Sequence, residues 1–249
     1  MNPRDWVELM HGDVMDVVAS TVRAGITAPP GKMLVVSDLS SIESRVLGYV
    51  SGCTRINNIF AEGKDTYKDF ATEMFHCSYD EVTKAQRTLA KPAVLGCGYQ
   101  LGAGGLVRYA ESMGIEMSGK EAKHAVKTFR TVYWEVAEMW QSLTDACKYV
   151  IETGNARQGY KVAISRDDQF LFITLPSGRN LHYYQPQVQP KTITIVDPET
   201  GEERKWETEA ITYMGKHEET FKWWRISTHG GKITENIVQA IARDILAGV

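Results

Sequence analysis

Two stretches of this chain hold side chains suited to chemistry. In the first, the apolar run Met33-Leu-Val-Val36 leads through Ser37 into Asp38, and a helical pattern carrying Glu43 and Arg45 begins just beyond. A short, wholly apolar run reads as a buried strand. Asp38 is therefore expected at a strand end, where a carboxylate faces solvent while its backbone is held. That placement suits a divalent-cation ligand. In the second stretch, Lys84, Arg87, Lys91, Leu95 and Tyr99 recur at intervals of three and four residues. At about 100° per residue they fall within a stripe roughly 120° wide, with no acid between Lys84 and Lys91. A nucleoside triphosphate needs such a surface: fixed cations for the phosphates and a flat ring near the base. A solvated basic helix face would present the same stripe. Pro92 lies inside it, and a proline costs on the order of 3 kcal/mol in a helix interior. Gly96 and Gly98 then loosen the following turn, so the helix suits a hinge better than plain scaffold.

The elements that must position these residues follow from periodicity. Val14, Val17, Val18 and Val22 keep helical spacing within residues 1–28, and Pro29-Pro30-Gly31 stops that helix. From Ser40 the period is again helical, with Ile42, Val46, Tyr49 and Val50 on one face and Gly52 as the stop. Helical patterns continue over Asp65–Phe75, Tyr79–Leu95 and Lys120–Ile151, with breaks at Gly102-Ala-Gly-Gly105 and Met113-Gly114. Between Tyr160 and Thr228 the chain turns β-like. Phe170–Leu175 and Leu181–Tyr184 flank Pro176-Ser-Gly178 as a hairpin. Thr192–Val196 and Trp206–Met214 read as further strands around a turn at Pro198-Glu-Thr-Gly201. Gly230-Gly231 leads into a last helix, Thr234–Leu246. The fold class expected is α+β.

Composition narrows the function classes. The 249 residues are 43% apolar and 24% charged, with a net charge of −3. A core is affordable within one large domain or two smaller ones, but the overall balance gives no basic signature, so any nucleic-acid contact must come from local clusters. No apolar run approaches the roughly 20 residues of a membrane span, and no secretory signal opens the chain. Cys53, Cys77, Cys97 and Cys147 are widely spaced and read as reduced thiols in a cytoplasmic protein, not as a zinc site or disulfide framework.

Four segments, in order, resemble the family A DNA polymerases, with a form closest to bacteriophage or prophage members. Lys32–Arg45 resembles motif A. Phe60-Ala-Glu-Gly-Lys-Asp65-Thr-Tyr67 resembles the F-x-x-G-x-D segment that opens the fingers. Lys84–Tyr99 resembles motif B, with Leu95 where many members carry an aromatic residue and Gln100 where many carry glycine. Glu235-Asn236-Ile-Val-Gln239-Ala-Ile-Ala-Arg-Asp244-Ile resembles the palm helix before motif C. The resemblance implies a palm, an antiparallel sheet with helices, interrupted by helical fingers: residues 1–55 as the first part of the palm, 56–155 as fingers, and 156–249 as the second part of the palm with a β-hairpin insertion.

It also implies roles. Asp38 and the Leu39 carbonyl would bind Mg²⁺, with two ions in the complete enzyme. Leu39, Ser40, Ile42, Glu43, Arg87, Lys91, Leu95 and Tyr99 would line the dNTP site. Within it, Arg87 and Lys91 would grip the triphosphate, Tyr99 would guard the base pair, and Glu43 would pair with Tyr99 where a ribose 2′-OH would clash. Leucine has no π face, so Leu95 offers no stacking. Primer–template DNA would meet Arg45, Arg179, Asn236 and Gln239, the last donating to minor-groove acceptors common to all base pairs. Replication accessory proteins are further expected partners. On the residues alone, Glu43 reads better as an exposed helix acid or a partner of Arg45, while Arg179 reads equally as a solvated turn charge and Gln239 as a surface polar residue.

Motif C, an apolar strand bearing His-Asp-Glu, is not found. His217-Glu218-Glu219 lacks the aspartate and precedes the wrong helix. The chain is accordingly expected to be a piece of a polymerase, inactive alone, because two-metal transfer needs more carboxylates than Asp38. The alternative is a polymerase-derived module that holds nucleic acid without catalysis.

Overall fold

The computed structural model describes residues 2–217 and 220–248, with Arg23 described by its backbone only. The chain divides into two units, residues 1–40 and 41–249.

In the first unit, Asn2 caps α1 (Pro3–His11) by accepting from the Asp5 amide at 2.9 Å. Pro3 stands in the first turn, where its missing N–H leaves nothing unpaired. Asp13 takes the Met15 and Asp16 amides at 2.8 and 3.1 Å and so starts α2 (Val14–Ala24). The chain turns at Pro29–Lys32, with the Lys32 amide on the Pro29 carbonyl. The strand expected at Met33–Val36 is not formed. These residues have no regular structure, and Val35 and Val36 are 85% and 92% exposed. An apolar run becomes a strand only when a neighbour pairs its N–H and C=O groups, and no described strand is registered to it.

The second unit opens with α3 (Ile42–Ser51), which buries Val46, Leu47 and Val50 and ends at Gly52 in the left-handed region. Tyr49, expected on the same face, is instead exposed; the buried arc is centred roughly 100° of helix rotation away from it. Then come α4 (Thr54–Ala61) and α5 (Thr66–Phe75). The helix expected from Tyr79 begins only at Lys84. A single 3-10 turn occupies Tyr79–Glu81, and Thr83 and Gln86 form a reciprocal capping box that fixes the start of α6 (Lys84–Cys97). The glycine-rich break is half right: Gly102 is the N-cap, but Gly104 and Gly105 lie inside α7 (Ala103–Ser112).

The long helix expected over Lys120–Ile151 is two, α8 (Gly119–Val132) and α9 (Trp134–Thr153). Tyr133 leaves the helical region between them (φ −114°, ψ 51°) and sends its ring into the core. There it meets Phe129 edge-on at 4.9 Å and stacks on Phe70 at 6.0 Å, while Phe129 stacks on Trp140. This aromatic cluster joins α5, α8 and α9.

A six-stranded antiparallel sheet follows in simple sequence order: β1 (Arg157–Gly159), β2 (Val162–Arg166), β3 (Phe170–Thr174), β4 (Asn180–Val196), β5 (Glu203–Lys216) and β6 (Trp223–Thr228). The observed class is α+β, as expected. Val162, Ile164, Leu171, Ile173, Tyr183 and Ile211 are buried on one sheet face, which packs on α9. The strands expected at Thr192–Val196 and Trp206–Met214 are the far halves of the longer β4 and β5, paired from Val196↔Glu203 to Tyr184↔Met214 around an irregularity between Tyr184 and Gln187. Their tip folds over the start of α8: Lys123 Nζ lies 2.7 Å from Asp197 and 3.1 Å from Glu199. A side chain at Gly119 would meet the Pro198 carbonyl at 2.8 Å.

The chain closes with α10 (Gly230–Ala247), packed on α9 and α3. No described helix is long and apolar enough to cross a membrane, and the four cysteines are free.

Candidate functional site

The end of α6, the start of α10 and the first turn of α3 meet at a cleft of about 460 Å³. Leu95, Gly96 and Tyr99 come from α6 and the turn after it, Glu43 from α3, and His229, Lys232, Glu235 and Gln239 from the entry and first turns of α10. Three local facts put them there. Trp140 Nε1 donates to the Gly98 carbonyl at 3.0 Å, holding the end of α6 on α9. Thr144 Oγ1 accepts from the Gly230 amide at 2.9 Å. Gly230 and Gly231 lack the side chains that would run into the Trp140 and Tyr99 carbonyls, so α10 starts hard against both helices. The glycine pair thus serves close approach, since neither residue has a positive φ.

Across the cleft, the Tyr99 hydroxyl donates to Glu43 Oε2 at 3.1 Å, the pairing that the resemblance implies. Burial, with Glu43 beside it, holds this phenol well above its usual range, so at neutral pH it stays protonated and donates. Lys232 and Glu235 pair at 3.0 Å on the α10 side. His229 is held below the usual imidazole range, first by burial and then by Lys232 and Lys191. Leu95 gives the cleft an aliphatic wall.

The other expected residues sit as follows. Arg87 is not a free cation. Its Nε donates to Asp65 Oδ2 at 2.8 Å, its Nη2 lies 2.7 Å from the same oxygen, and its guanidinium lies over Tyr67. Asp65 also caps α5 through the Tyr67 and Lys68 amides. Burial opposes its ionisation, but the Lys68 amide and Arg87 outweigh this and hold its carboxyl below the usual range. Lys91, half-buried one turn further along α6, has no ion-pair partner among the described residues.

Arg45 lies over the Phe60 ring at 4.3 Å. Asn236 donates to the buried Tyr183 hydroxyl at 2.8 Å. Arg179, expected toward DNA, is engaged within the chain: Nε donates to Asp244 at 2.8 Å and Nη2 to the Ala240 carbonyl at 2.9 Å, tying the β3–β4 turn to α10. A positively charged turn residue finds partners here because the hairpin turn folds back onto Asp244 and the Ala240 carbonyl of α10. Ile42 packs against the core at the head of α3.

Asp38, Leu39 and Ser40 belong to the first unit. Asp38 is exposed on an irregular segment, so the strand end expected to hold it is not there. Among the described residues no three His, Cys, Asp or Glu side chains converge as a metal site. Glu218 and Glu219 lie outside the described residues.

Sequence reading missed His229 and Tyr109 in the cleft wall. The Gly-Gly pair signals a helix entry, not the histidine before it, and Tyr109 lies on α7, whose start was read as a break. In the sequence, Gln100 shows only as a departure from the family pattern.

Comparison with known proteins places these segments in a family. The sequence model for DNA polymerase family A matches residues 13–169, more than half the chain. This chain belongs to DNA polymerase family A. The DNA polymerase of Bacillus phage SP02 is 33% identical over 244 residues, covering 97% of this chain and 36% of the phage protein. DNA polymerase I of Chloroflexus aurantiacus is 37% identical over 95 residues, 38% of this chain and 10% of that protein. Among solved structures, the POL domain of Pol1 from M. smegmatis in complex with DNA primer-template and dNTP matches with 24% identity and a TM-score of 0.40, covering 59% of this chain and 21% of that one. The chain thus spans about a third of the length of the phage relative.

Proposed function

We propose that this chain supplies the nucleotide-selecting part of a template-directed DNA polymerase, which joins a dNTP to a primer 3′-OH with loss of pyrophosphate. The observation that carries this is the Tyr99–Glu43 hydrogen bond across the cleft, with Lys91, which has no ion-pair partner among the described residues, on the same helix as Leu95. A deoxyribose fits against such a pair, whereas a 2′-OH would have to break the hydrogen bond to enter. Lys91 meets the triphosphate directly. Arg87 joins it on release from Asp65, or else stays paired and braces α6. Gln239, on the same side as Lys232, faces the primer–template minor groove. In the domain terms of the family, residues 56–155 are the fingers, with parts of the palm on either side.

Mg²⁺ supplies charge neutralisation and activates the attacking oxygen when bound. Asp38 and the Leu39 carbonyl are this chain's contributions. Mg²⁺ takes one or two carboxylates together with phosphate oxygens and water, so Asp38 and the Leu39 carbonyl would share one ion with the triphosphate, and a second ion needs a further carboxylate. The two residues suit a share in one Mg²⁺ ion and do not by themselves supply a two-ion site.

The test is a titration of the chain with dATP, ATP and a primer–template, followed by primer extension with and without a separately supplied segment bearing His-Asp-Glu. The reading requires dATP to bind more tightly than ATP, and extension to appear on complementation. DNA binding with no nucleotide preference, and no extension after complementation, would instead identify a non-catalytic nucleic-acid-binding module.

A further inference from the structure

Gln100 sits immediately after Tyr99 with φ +68°, in the left-handed region that residues with a Cβ rarely occupy. Such a conformation persists when the surroundings hold it, and here the side chain supplies the hold. Gln100 Oε1 accepts from the Gly231 amide at 3.0 Å and lies 2.9 Å from His229 Nδ1. A backbone N–H can only donate, so the atom facing it must be the amide oxygen, and the orientation of the Gln100 amide follows from chemistry. The same oxygen can only accept, so His229 Nδ1 carries the proton. The Tyr99 carbonyl and the Gln100 Cβ also touch the space above Gly231 that a side chain would fill. The turn after α6 and the first turn of α10 are thus clasped through one amide oxygen.

We propose that Gln100 is a positioning residue for nucleotide selection: by clasping Gly231 and His229 it fixes the backbone on which Tyr99 rides, and so holds the Tyr99 hydroxyl on Glu43. The inference rests on the functional reading above. A glycine here would relieve the backbone but could not make the clasp. The selecting pair would then depend on the cleft contacts of the tyrosine alone.

The experiment uses the whole chain with fluorotyrosine incorporated at position 99. It compares wild type with Gln100→Met, which keeps the length but loses the acceptor, and Gln100→Glu, which keeps an acceptor. Nitrogen NMR reads the His229 tautomer, amide exchange reads Gly231, fluorine NMR reads the Tyr99 ring, and a titration reads dATP against ATP. In wild type, His229 carries its proton on Nδ1. In Gln100→Met, losing one hydrogen bond speeds Gly231 exchange about fivefold, moves the His229 proton toward Nε2, and shifts the Tyr99 signal. The dATP preference falls by about the same factor, and Gln100→Glu restores it.

Thr144→Val is the control, because it frees the neighbouring Gly230 amide without touching Gln100, and it should leave the Tyr99 signal in place. The proposal is overturned if Gln100→Met releases Gly231 while the Tyr99 signal and the preference stay at wild type, or if Thr144→Val moves them equally. Should Gln100→Met not fold, Gln100→Asn, too short to reach Gly231, takes its place with the same expectations. If wild type shows no dATP preference, the functional reading fails, while the Tyr99 signal still decides the clasp.

Discussion

Arg87 and Asp65 form a two-nitrogen, one-oxygen ion pair between the first turns of α6 and the N-cap of α5, with N–O distances of 2.8 and 2.7 Å. A cationic stripe read as a phosphate clamp therefore has one of its members tied to an acid at the head of the preceding α-helix. The pair does two things at once: it caps a helix and it neutralises a cation. Both side chains are more than a third exposed, so solvent screens the pair and its own contribution to stability is small.

Asp65→Ala should destabilise the chain by about 1 kcal/mol, mainly through the lost cap on α5. Arg87→Ala should cost less than that. The folded Asp65 carboxyl is held below its unfolded value, so its contribution is full above about pH 4 and fades as pH falls through the lower folded value. Urea unfolding of wild type and Asp65→Asn should show a larger gap at neutral pH than near pH 3, and an equal gap at both would remove the linkage.

Lys91→Ala should weaken Mg²⁺–dNTP binding at least tenfold, because losing a charged hydrogen bond removes roughly 1.5–3 kcal/mol. It should leave the melting temperature nearly unchanged, since no described side chain depends on that ammonium for its pairing. Calorimetric titration beside a thermal melt separates the two; a large fall in the melt would make Lys91 structural.

Glu43→Ala and Tyr99→Phe each remove the hydrogen bond that closes the cleft. Both should narrow the dATP-over-ATP preference by about fivefold or more, chiefly by admitting ATP. Competition binding with the two nucleotides decides this, and an unchanged ratio in both variants would detach the pair from sugar selection.

Gly231→Ala should be among the most damaging single changes in the chain, costing about 2–3 kcal/mol. Its new methyl would run into the Tyr99 carbonyl, backbone that cannot step aside. Gly102→Ala, where nothing lies within 4 Å, loses only the preference for glycine over alanine at an N-cap and should cost no more than about 1 kcal/mol. Chemical denaturation of the two variants side by side gives the comparison.

The sequence makes α3, α5 and α10 legible because each carries an apolar period, off only at Tyr49 in α3, and an end signal: Gly52, Asp65 and Gly230-Gly231. The β3–β4 hairpin is legible through alternation and its Pro-Ser-Gly turn. What escapes reading depends on partners that lie far away along the chain. Met33–Val36 has every local mark of a strand and no described neighbour to pair with. Tyr133 interrupts a helix because the aromatic core claims its ring, although the apolar period runs almost unbroken through it. The motif B cations are plain from their spacing, yet nothing local says that Arg87 reaches an acid 22 residues earlier. Gln100 shows only as an oddity until the first turn of α10 is placed beside it.

The tip of the β4–β5 hairpin bears on the first turn of α8 through Lys123, Asp197 and Glu199, and through the contact of Gly119 with Pro198. A lever is made where a stiff rod rests on a body at a point distant from its own root, and a two-stranded ribbon of this length is such a rod. Any swing of α8 must either drag the ribbon along, flexing it at the irregularity between Tyr184 and Gln187, or lift off it and break those ion pairs. Movement of α8, which packs on α6 and α7, is thereby coupled to the sheet.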